Sequence, residues 1–403
     1  MNILLTINDI TITGGTERVC VNLADALTEC GHSVEILSFY RANRTLPYDT
    51  KAKLTFMHDF GEGILRDKML SNPLKKLYFK NLHKIILSLK VWLHYKHIDI
   101  IITNDWTYAP IFRRKMTHYI KIHHLKFEGR YNKRNNLFDT LIVLSSRELS
   151  TWQRYHHNVR VIPNFIPEIP SKCTNHAQRF ILSVGRMDKG DQKGFFRLLD
   201  IWKIVQDRIK DSNMNCESTH SVIANEVKQS TMLQNGLPRF GIAKSHNDSI
   251  DSQNLTQWKL IIVGDGILKK ELESKIKALN LQESVILKPF TKQIEKEYLN
   301  ASIYAMSSHW EGFGMVLAEA SSYGLPCVAF DVKTGPSDII ENEKSGFLVA
   351  DNDLQGYADK LMFLMRDENL RFNFGTKAKR VVSERFSKEV VMKEWEKLFG
   401  DKS

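Results

Sequence analysis

Short apolar, β-rich runs alternate with longer stretches of helical period along the whole chain. In the first half, Asn2–Ile7, Ser33–Phe39, Asp99–Thr103, Thr140–Leu144 and Val159–Ile162 predict strands. The periodic stretch Glu17–Glu29, closed by Gly31, predicts a helix between the first two. Strands alternating with helices predict a mostly parallel sheet covered on both faces. Pro163 to Pro170 reads P-N-F-I-P-E-I-P, and its three prolines predict an extended linker. The pattern then restarts, with strands expected at Phe180–Val184, Lys259–Val263, Ser284–Lys288, Ile303–Ser307, Pro326–Phe330 and Gly346–Val349. Helices are expected near Phe195–Arg208, Ile267–Leu279, Met315–Tyr323 and Leu354–Met365. The expectation is α/β, with one domain over 1–168 and a second over 176–386. A last amphipathic helix, within 387–403, either pads its own domain or crosses back to the first.

One segment breaks the rhythm. Asp211–Thr256 holds 7 Ser, 6 Asn, 3 Thr and 3 Gln, with Phe240 as its only aromatic residue. A polar stretch of that length buries little, so the expectation is an exposed, largely disordered insertion. A small lid or binding loop with a short helix at Val222–Gln234 is the alternative.

A chain of 403 residues, 42% hydrophobic and 26% charged, with a mean hydropathy of −0.30, describes a folded soluble protein and excludes a disordered, collagenous or integral membrane one. The first residues read as a buried strand, without the features of a signal peptide. Five cysteines, odd in number, scattered and without C-x-x-C, argue for a reducing compartment and against a zinc site. The expected location is cytoplasmic.

Charge is unevenly spread. Glu62 to Arg134 contains 16 Lys/Arg against 5 Asp/Glu, which accounts for the whole net charge of +11. Tyr78, Phe79, Trp92 and Tyr95 are interleaved with the basic residues. That mixture suits an anionic membrane surface. A solvated helix face in a basic protein is equally compatible, whereas no helix-turn-helix, zinc-finger or RNA-binding signature supports nucleic acid.

Four glycine-bearing loops follow expected strands, where open α/β sheets hold their ligands. T-G-G-T-E-R sets Gly14 and Gly15 before the helix at Glu17; it fits neither G-x-G-x-x-G nor the P-loop pattern. S-V-G-R-M-D-K-G-D-Q-K-G sets Arg186 and Lys193 near a helix N-terminus, where paired cations can hold a diphosphate. In I-I-V-G-D-G, Gly264 and Gly266 flank Asp265, for which helix capping is expected. In S-S-H-W-E-G-F-G-M-V-L-A-E-A, Glu311 precedes Gly312, Phe313 and Gly314, and Glu319 lies eight residues on. A carboxylate can accept from two vicinal hydroxyls, so two separated glutamates suit a polyhydroxylated ligand. An exposed loop Glu and a solvated helix Glu are the alternative.

The E-x(7)-E spacing of Glu311 and Glu319, with V-G-R at 184–186, K-G at 193–194, V-G-D-G at 263–266, the N-terminal G-G-T-E-R and V-I-P-N at 161–164, resembles the retaining glycosyltransferases of family 4. The resemblance covers nearly the whole chain. It implies the GT-B architecture, two Rossmann-like domains facing across a cleft, with the acceptor bound by the first and the nucleotide sugar by the second.

By that resemblance Arg186 and Lys193 grip the nucleotide diphosphate and Glu319 binds the ribose. Glu311, with the backbone of Gly312, Phe313 and Gly314, orients the donor sugar, Gly264 joins the nucleotide loops, and Gly14 and Gly15 lie between donor phosphate and acceptor. His124 lines the acceptor side, with His123 as the other candidate. Arg186 and Lys193 are more widely spaced than is usual in the family, so Lys189, followed by Gly190, competes for the lysine role. The implied reaction moves a hexose or N-acetylhexosamine, by family frequency from a uridine diphosphate sugar, to a lipid-linked or cell-surface glycan at the inner membrane face. No D-x-D clamp ends a strand, so no metal or other cofactor is expected. A noncatalytic glycan or nucleotide-sugar binding protein that keeps the fold is the competing reading.

Overall fold

The computed structural model describes residues 1–61, 82–226 and 255–400, with backbone alone for 213–226. In the first half, β1 (Asn2–Ile7), β2 (Ser33–Ser38), β3 (Lys53–Phe56), β4 (Ile100–Thr103), β5 (His118–His123), β6 (Thr140–Val143) and β7 (Val159–Val161) form one sheet in the order β3-β2-β1-β4-β5-β6-β7. In the second, β8 (Phe180–Val184), β9 (Lys259–Val263), β10 (Val285–Lys288), β11 (Ile303–Met306), β12 (Cys327–Phe330) and β13 (Gly346–Val349) are ordered β10-β9-β8-β11-β12-β13. Every pairing between these strands is parallel. Each half is therefore Rossmann-like, and the strand order reverses between β1 and β4 in one sheet and between β8 and β11 in the other. Such switch points open a crevice at the carboxyl ends of the strands.

Two strands escape the sequence reading. β3 reads K-L-T-F, and β5 reads H-Y-I-K-I-H with Lys121 and His123 buried inside it. Neither has the apolar run that marks its neighbours. In β5, Ile120 and Ile122 join the core under α1, whereas Tyr119 packs in the core on the opposite face. The sheet buries both faces, so the alternation ceases to separate apolar from polar.

Helix α1 (Gly15–Glu29) lies on β1 through Val19, Cys20, Leu23, Ala24 and Leu27. Gly31 ends it at φ +88°, a conformation that costs glycine little, while His32 N–H returns to the Leu27 carbonyl at 3.2 Å. On the other face lie α2 (His83–His94) and α3 (Ser146–Gln153). The second sheet is covered by α4 (Phe195–Glu226), α5 (Lys269–Ala278), α6 (Ile294–Asn300), α7 (Met315–Ser322), α8 (Pro336–Ile339), α9 (Leu354–Arg366) and α10 (Glu368–Phe386).

The expected insertion begins differently from its reading. Residues 211–226 continue α4 as helix, and Leu255, at its far end, is buried in the core of the second half beside Trp258. Helix propagation from a packed first turn outweighs the polar composition there. The remainder of that segment, most of Val222–Gln234 included, lies outside the described residues.

The chain crosses between the halves twice. At the crossing Ile166 N–H donates to the Phe386 carbonyl at 2.8 Å. Helix α11 (Lys388–Gly400) then returns to the first half, with Lys388 on Glu29 at 2.7 Å and Trp395 and Phe399 buried. One apolar cluster consequently runs from α1 through Phe165 and Ile166 to Phe313, Leu317 and Trp395.

Candidate active site

The loops that follow β8 and β11 flank the switch point of the second sheet. After β11, Ser307 and Ser308 lead to Glu311 and then to Gly314, which starts α7 at φ +89°. Glu319 lies one turn inside α7 and is nearly buried, as is Glu311. Lys193 Nζ donates to Glu311 Oε1 at 2.7 Å. The Lys193 stem lies against Gly185, where an added Cβ would come within 2.7 Å of it. Lys189 instead stands exposed in the turn that precedes. That turn explains the long spacing from Arg186. Gly190 and Asp191 both take positive φ, and the Asp191 carboxylate caps α4 by accepting from the N–H groups of Phe195 and Phe196 at 2.8 and 3.0 Å.

Two supports of this loop carry no motif. Arg197 is buried and donates through Nε to the Ser307 carbonyl at 2.5 Å, while its other nitrogens hold the Ser308 carbonyl, Asp351 and Asn352. Thr334 Oγ1 donates to the Glu311 carbonyl. Both contacts join residues far apart in sequence, so nothing local marks them. Asp265 differs from its expected role: α5 starts later, at Lys269, and the carboxylate accepts from Phe290 N–H at 2.7 Å. Gly264 is required by packing, since a Cβ there would meet the Gly185 carbonyl at 1.8 Å.

In the first half the Gly14–Gly15 loop follows β1 and residues 104–107 follow β4, again flanking the switch point. The Glu17 carboxylate folds back over Gly14, and burial raises its pKa. His124 Nε2 is 3.1 Å from Asn104 Oδ1, and burial, followed by the charge of Lys121, pushes it down to about 3. His123 is buried with its ring 3.9 Å from Trp152 and 5.4 Å from Trp106, and its pKa is also lowered by burial. Both imidazoles are thus neutral at pH 7. Lys121, fully buried, falls to about 7 through burial, and its ammonium donates to the Asp105 carbonyl.

The two halves meet at these loops. Gly312 lies so close to the His124 carbonyl that a Cβ would stand 1.7 Å from it. Arg186 Nη1 reaches the Thr13 carbonyl at 3.5 Å and Nη2 pairs with Asp188 at 2.9 Å. Arg18 Nη1 pairs with Glu319 Oε1 at 2.7 Å, while Tyr298 OH donates to Glu319 Oε2 at 3.0 Å. The Glu319 charge raises the Arg18 pKa further. Arg147 with Asp331 and Lys333 with Glu148, each at 2.8 Å, close the same seam. Gly14, Gly15, His124, Arg186, Lys193, Gly264, Glu311, Gly312, Phe313, Gly314 and Glu319 therefore lie on loops and one helix turn at the carboxyl edges of the two sheets, and contacts of Thr13, Arg18 and His124 with Arg186, Glu319 and Gly312 join the two edges. The Phe313 side chain turns away into the core against Phe386, 5.1 Å between ring centroids. Arg18, at the end of G-G-T-E-R, is the residue that sequence reasoning had no means to pair.

Residues 13–168 match the family described as Glycosyltransferase Family 4, and residues 239–381 match the Glycosyl transferases group 1. The amylovoran biosynthesis glycosyltransferase AmsD of Erwinia amylovora is 27% identical, covering 99% of each chain. An alpha-1,4-N-acetyl-D-galactosaminyltransferase of Campylobacter jejuni is 23% identical over 96% of each. Among solved structures, a variant of TarM from S. aureus superposes with a TM-score of 0.69 at 16% identity, covering 99% of both chains. The chain is a glycosyltransferase of the GT-B fold, related through its two halves to the family 4 and group 1 glycosyltransferases.

Proposed function

We propose that this glycosyltransferase retains anomeric configuration while moving a hexose or N-acetylhexosamine from a uridine diphosphate sugar to a lipid-linked or cell-surface glycan. The observation that carries the reading is the gathering of Arg186, Lys193, Glu311 and Glu319 opposite the Gly14–Gly15 loop, at the carboxyl edges of two parallel sheets. In this reading Arg186 and Lys193 hold the diphosphate through charge-assisted bonds. Glu319 accepts from the ribose hydroxyls, and Glu311 with the N–H groups of 312–314 orients the transferred sugar. The incoming diphosphate draws Lys193 from Glu311, and the ribose takes the place of Arg18 on Glu319. The acceptor hydroxyl, entering past His124, attacks from the face that the nucleotide leaves, and its proton passes to the departing diphosphate oxygen. Stabilising that developing charge with fixed donors is the main contribution of the protein.

The relatives support the substrate class. The Campylobacter enzyme is named for an acceptor glycan carried on undecaprenol diphosphate, and the TarM variant was crystallised with UDP. A membrane-borne acceptor also accounts for α2, where Leu82, Ile85, Leu89 and Leu93 form an exposed apolar stripe near the basic run Arg113–Lys115. Among the described residues no helix is long and apolar enough to cross a membrane, so the reading is contact with an anionic surface by α2 and its lysines. Co-sedimentation with phosphatidylglycerol vesicles should exceed that with phosphatidylcholine and weaken with salt and with Leu89→Glu; equal pelleting in all cases removes the membrane contact.

The enzymatic reading is tested by incubating the purified protein with a panel of UDP-sugars. At least one should raise the melting temperature and release UDP slowly, since binding to the folded state alone shifts unfolding. A panel that neither stabilises the protein nor yields UDP would overturn the proposal. Stabilisation without UDP release, in the presence of acceptor glycans as well, would favour a binding protein.

A further inference from the structure

The loop after β4 carries a large aromatic residue that the donor site does not use. Trp106 is 45% exposed, although its neighbours are packed and hydrogen-bonded. Its ring rests on Lys121, whose Nζ is 4.8 Å from the ring centroid, and on His123, which is packed in turn on Trp152. Its carbonyl accepts from Lys84 Nζ. The preceding residue is pinned as well. The Asp105 carboxylate accepts from Asn8 N–H, at the end of β1, and from Thr107 N–H at 2.7 Å, and the Asp105 carbonyl accepts from Lys121. Next to it, Asn104 meets His124, whose carbonyl abuts Gly312 of the donor loop. His123 Nε2 is buried and has no hydrogen-bond partner among the described residues.

A half-exposed indole that rests on Lys121 and His123, at the switch point of the sheet and two residues from Asn104, whose partner His124 abuts Gly312, is an unusual use of apolar surface. Removing such a face from water is favourable, and the ligand that fits it is flat, weakly apolar on one side and hydroxylated at its rim. A pyranose ring has that form, with axial C–H groups on one face and hydroxyls around the edge. We propose that Trp106 is the stacking platform for the terminal sugar ring of the acceptor. The inference rests on the glycosyl-transfer reading above and adds the half of the site that recognises the acceptor. The ring of Trp106 fixes the plane of the acceptor sugar, so that one hydroxyl points toward Gly312 and the donor. Lys121, His123 and Trp152 position the indole and make no contact with substrate.

The test uses the full-length enzyme, the UDP-sugar selected by the panel above, and p-nitrophenyl α- and β-glycosides of glucose, galactose, N-acetylglucosamine and N-acetylgalactosamine as acceptors. UDP release is followed with and without glycoside. In the wild type at least one glycoside should increase the rate. Trp106→Ala should raise the KM for that glycoside at least tenfold, with UDP affinity and acceptor-independent donor hydrolysis within twofold of wild type. Trp106→Phe should recover most of the acceptor affinity. An unchanged glycoside KM in Trp106→Ala overturns the platform, as does the absence of any glycoside effect on wild type. Equal loss of UDP affinity and of acceptor affinity makes Trp106 a structural residue and overturns it too. Failure of the wild type to release UDP from any UDP-sugar sinks the enzymatic reading itself and is visible before a variant is made.

Discussion

The two sheet edges that meet between the halves are built from opposite materials. The edge of the second sheet is made of paired charges, Lys193 with Glu311 on loops rich in glycine and Glu319 of α7 with Arg18, which reaches across from α1 of the first half. Its backbone comes close to neighbouring backbone, as at Gly264 and Gly312. The edge of the first sheet is made of aromatic rings and bases, with Trp106, Trp152, His123 and Lys121 packed on one another and His124 held on Asn104 beside them. Burial is the dominant influence on the three bases there. Ion pairs can exchange partners when a charged ligand arrives, so the second edge is suited to a diphosphate and hydroxyls. Packed rings cannot rearrange cheaply, so the first edge is suited to holding a fixed shape.

The largest expected effect comes from the point where the edges touch. Gly312→Ala sets a methyl group against the His124 carbonyl and must push the Gly312 loop from the first half. Misplacement of about 1 Å costs roughly 100-fold in rate, so kcat should fall by that order, while circular dichroism shows both halves folded. Wild-type activity in this variant would mean that the two edges do not work in contact.

Next in size is the carboxylate pair. Glu319→Ala leaves buried donors without an acceptor and should weaken UDP binding by about 1–3 kcal/mol, whichever sugar it carries. Glu311→Ala should instead show its loss only with the intact nucleotide sugar. Calorimetry with UDP and with UDP-sugar separates the two, and equal losses for both ligands in both variants would break the division of labour.

Acid stability distinguishes the first edge. His124 has its pKa at about 3 in the fold against an ordinary value of 6.5. Between those values the unfolded chain binds the extra proton, so stability is lost as pH falls from 6.5 toward 3, at up to about 1.4 kcal/mol per unit. The loss is absent above 6.5. Urea titrations of wild type and His124→Gln at pH 7 and pH 5 should differ in slope with pH, and parallel behaviour would show that His124 is not desolvated.

The smallest effect is expected at the rim. Arg147→Ala removes a half-exposed pair with Asp331 and should change stability by less than about 1 kcal/mol, with the difference vanishing in high salt. A larger loss would make the seam itself a source of stability.

Much of the second edge is legible in the sequence. Local patterns write it: a strand, a glycine turn, a charged residue and a helix start follow one another within a dozen or so positions, as from Ser307 to Glu319. Those are short-range requirements of backbone geometry, and they leave residue types at set spacings. Arg197 and Thr334 serve the same loop yet leave no such trace, because their hydrogen bonds span more than a hundred residues in one case and twenty-three in the other. The first edge was read more thinly. Only G-G-T-E-R and the choice between His123 and His124 pointed to it. β5 leaves no strand pattern of its own, because a lysine and two histidines occupy a strand whose burial comes from its neighbours.

The sequence alone determined the alternation of strands and helices, the break at Pro163–Pro170, the order of the glycine loops and the identity of the charged residues on them. Each is decided by steric limits and periodicity within a few residues, which act in any context. The tertiary structure alone decided that Arg18 would close on Glu319, that the His124 carbonyl would stop at Gly312, and that Lys121 would lie under an exposed indole. It also carried α4 on through residue 226 and set α11 against α1. Those contacts join segments far apart in the chain. Their energies depend on the distance and desolvation that exist only once both sheets are packed, so no local pattern can encode them.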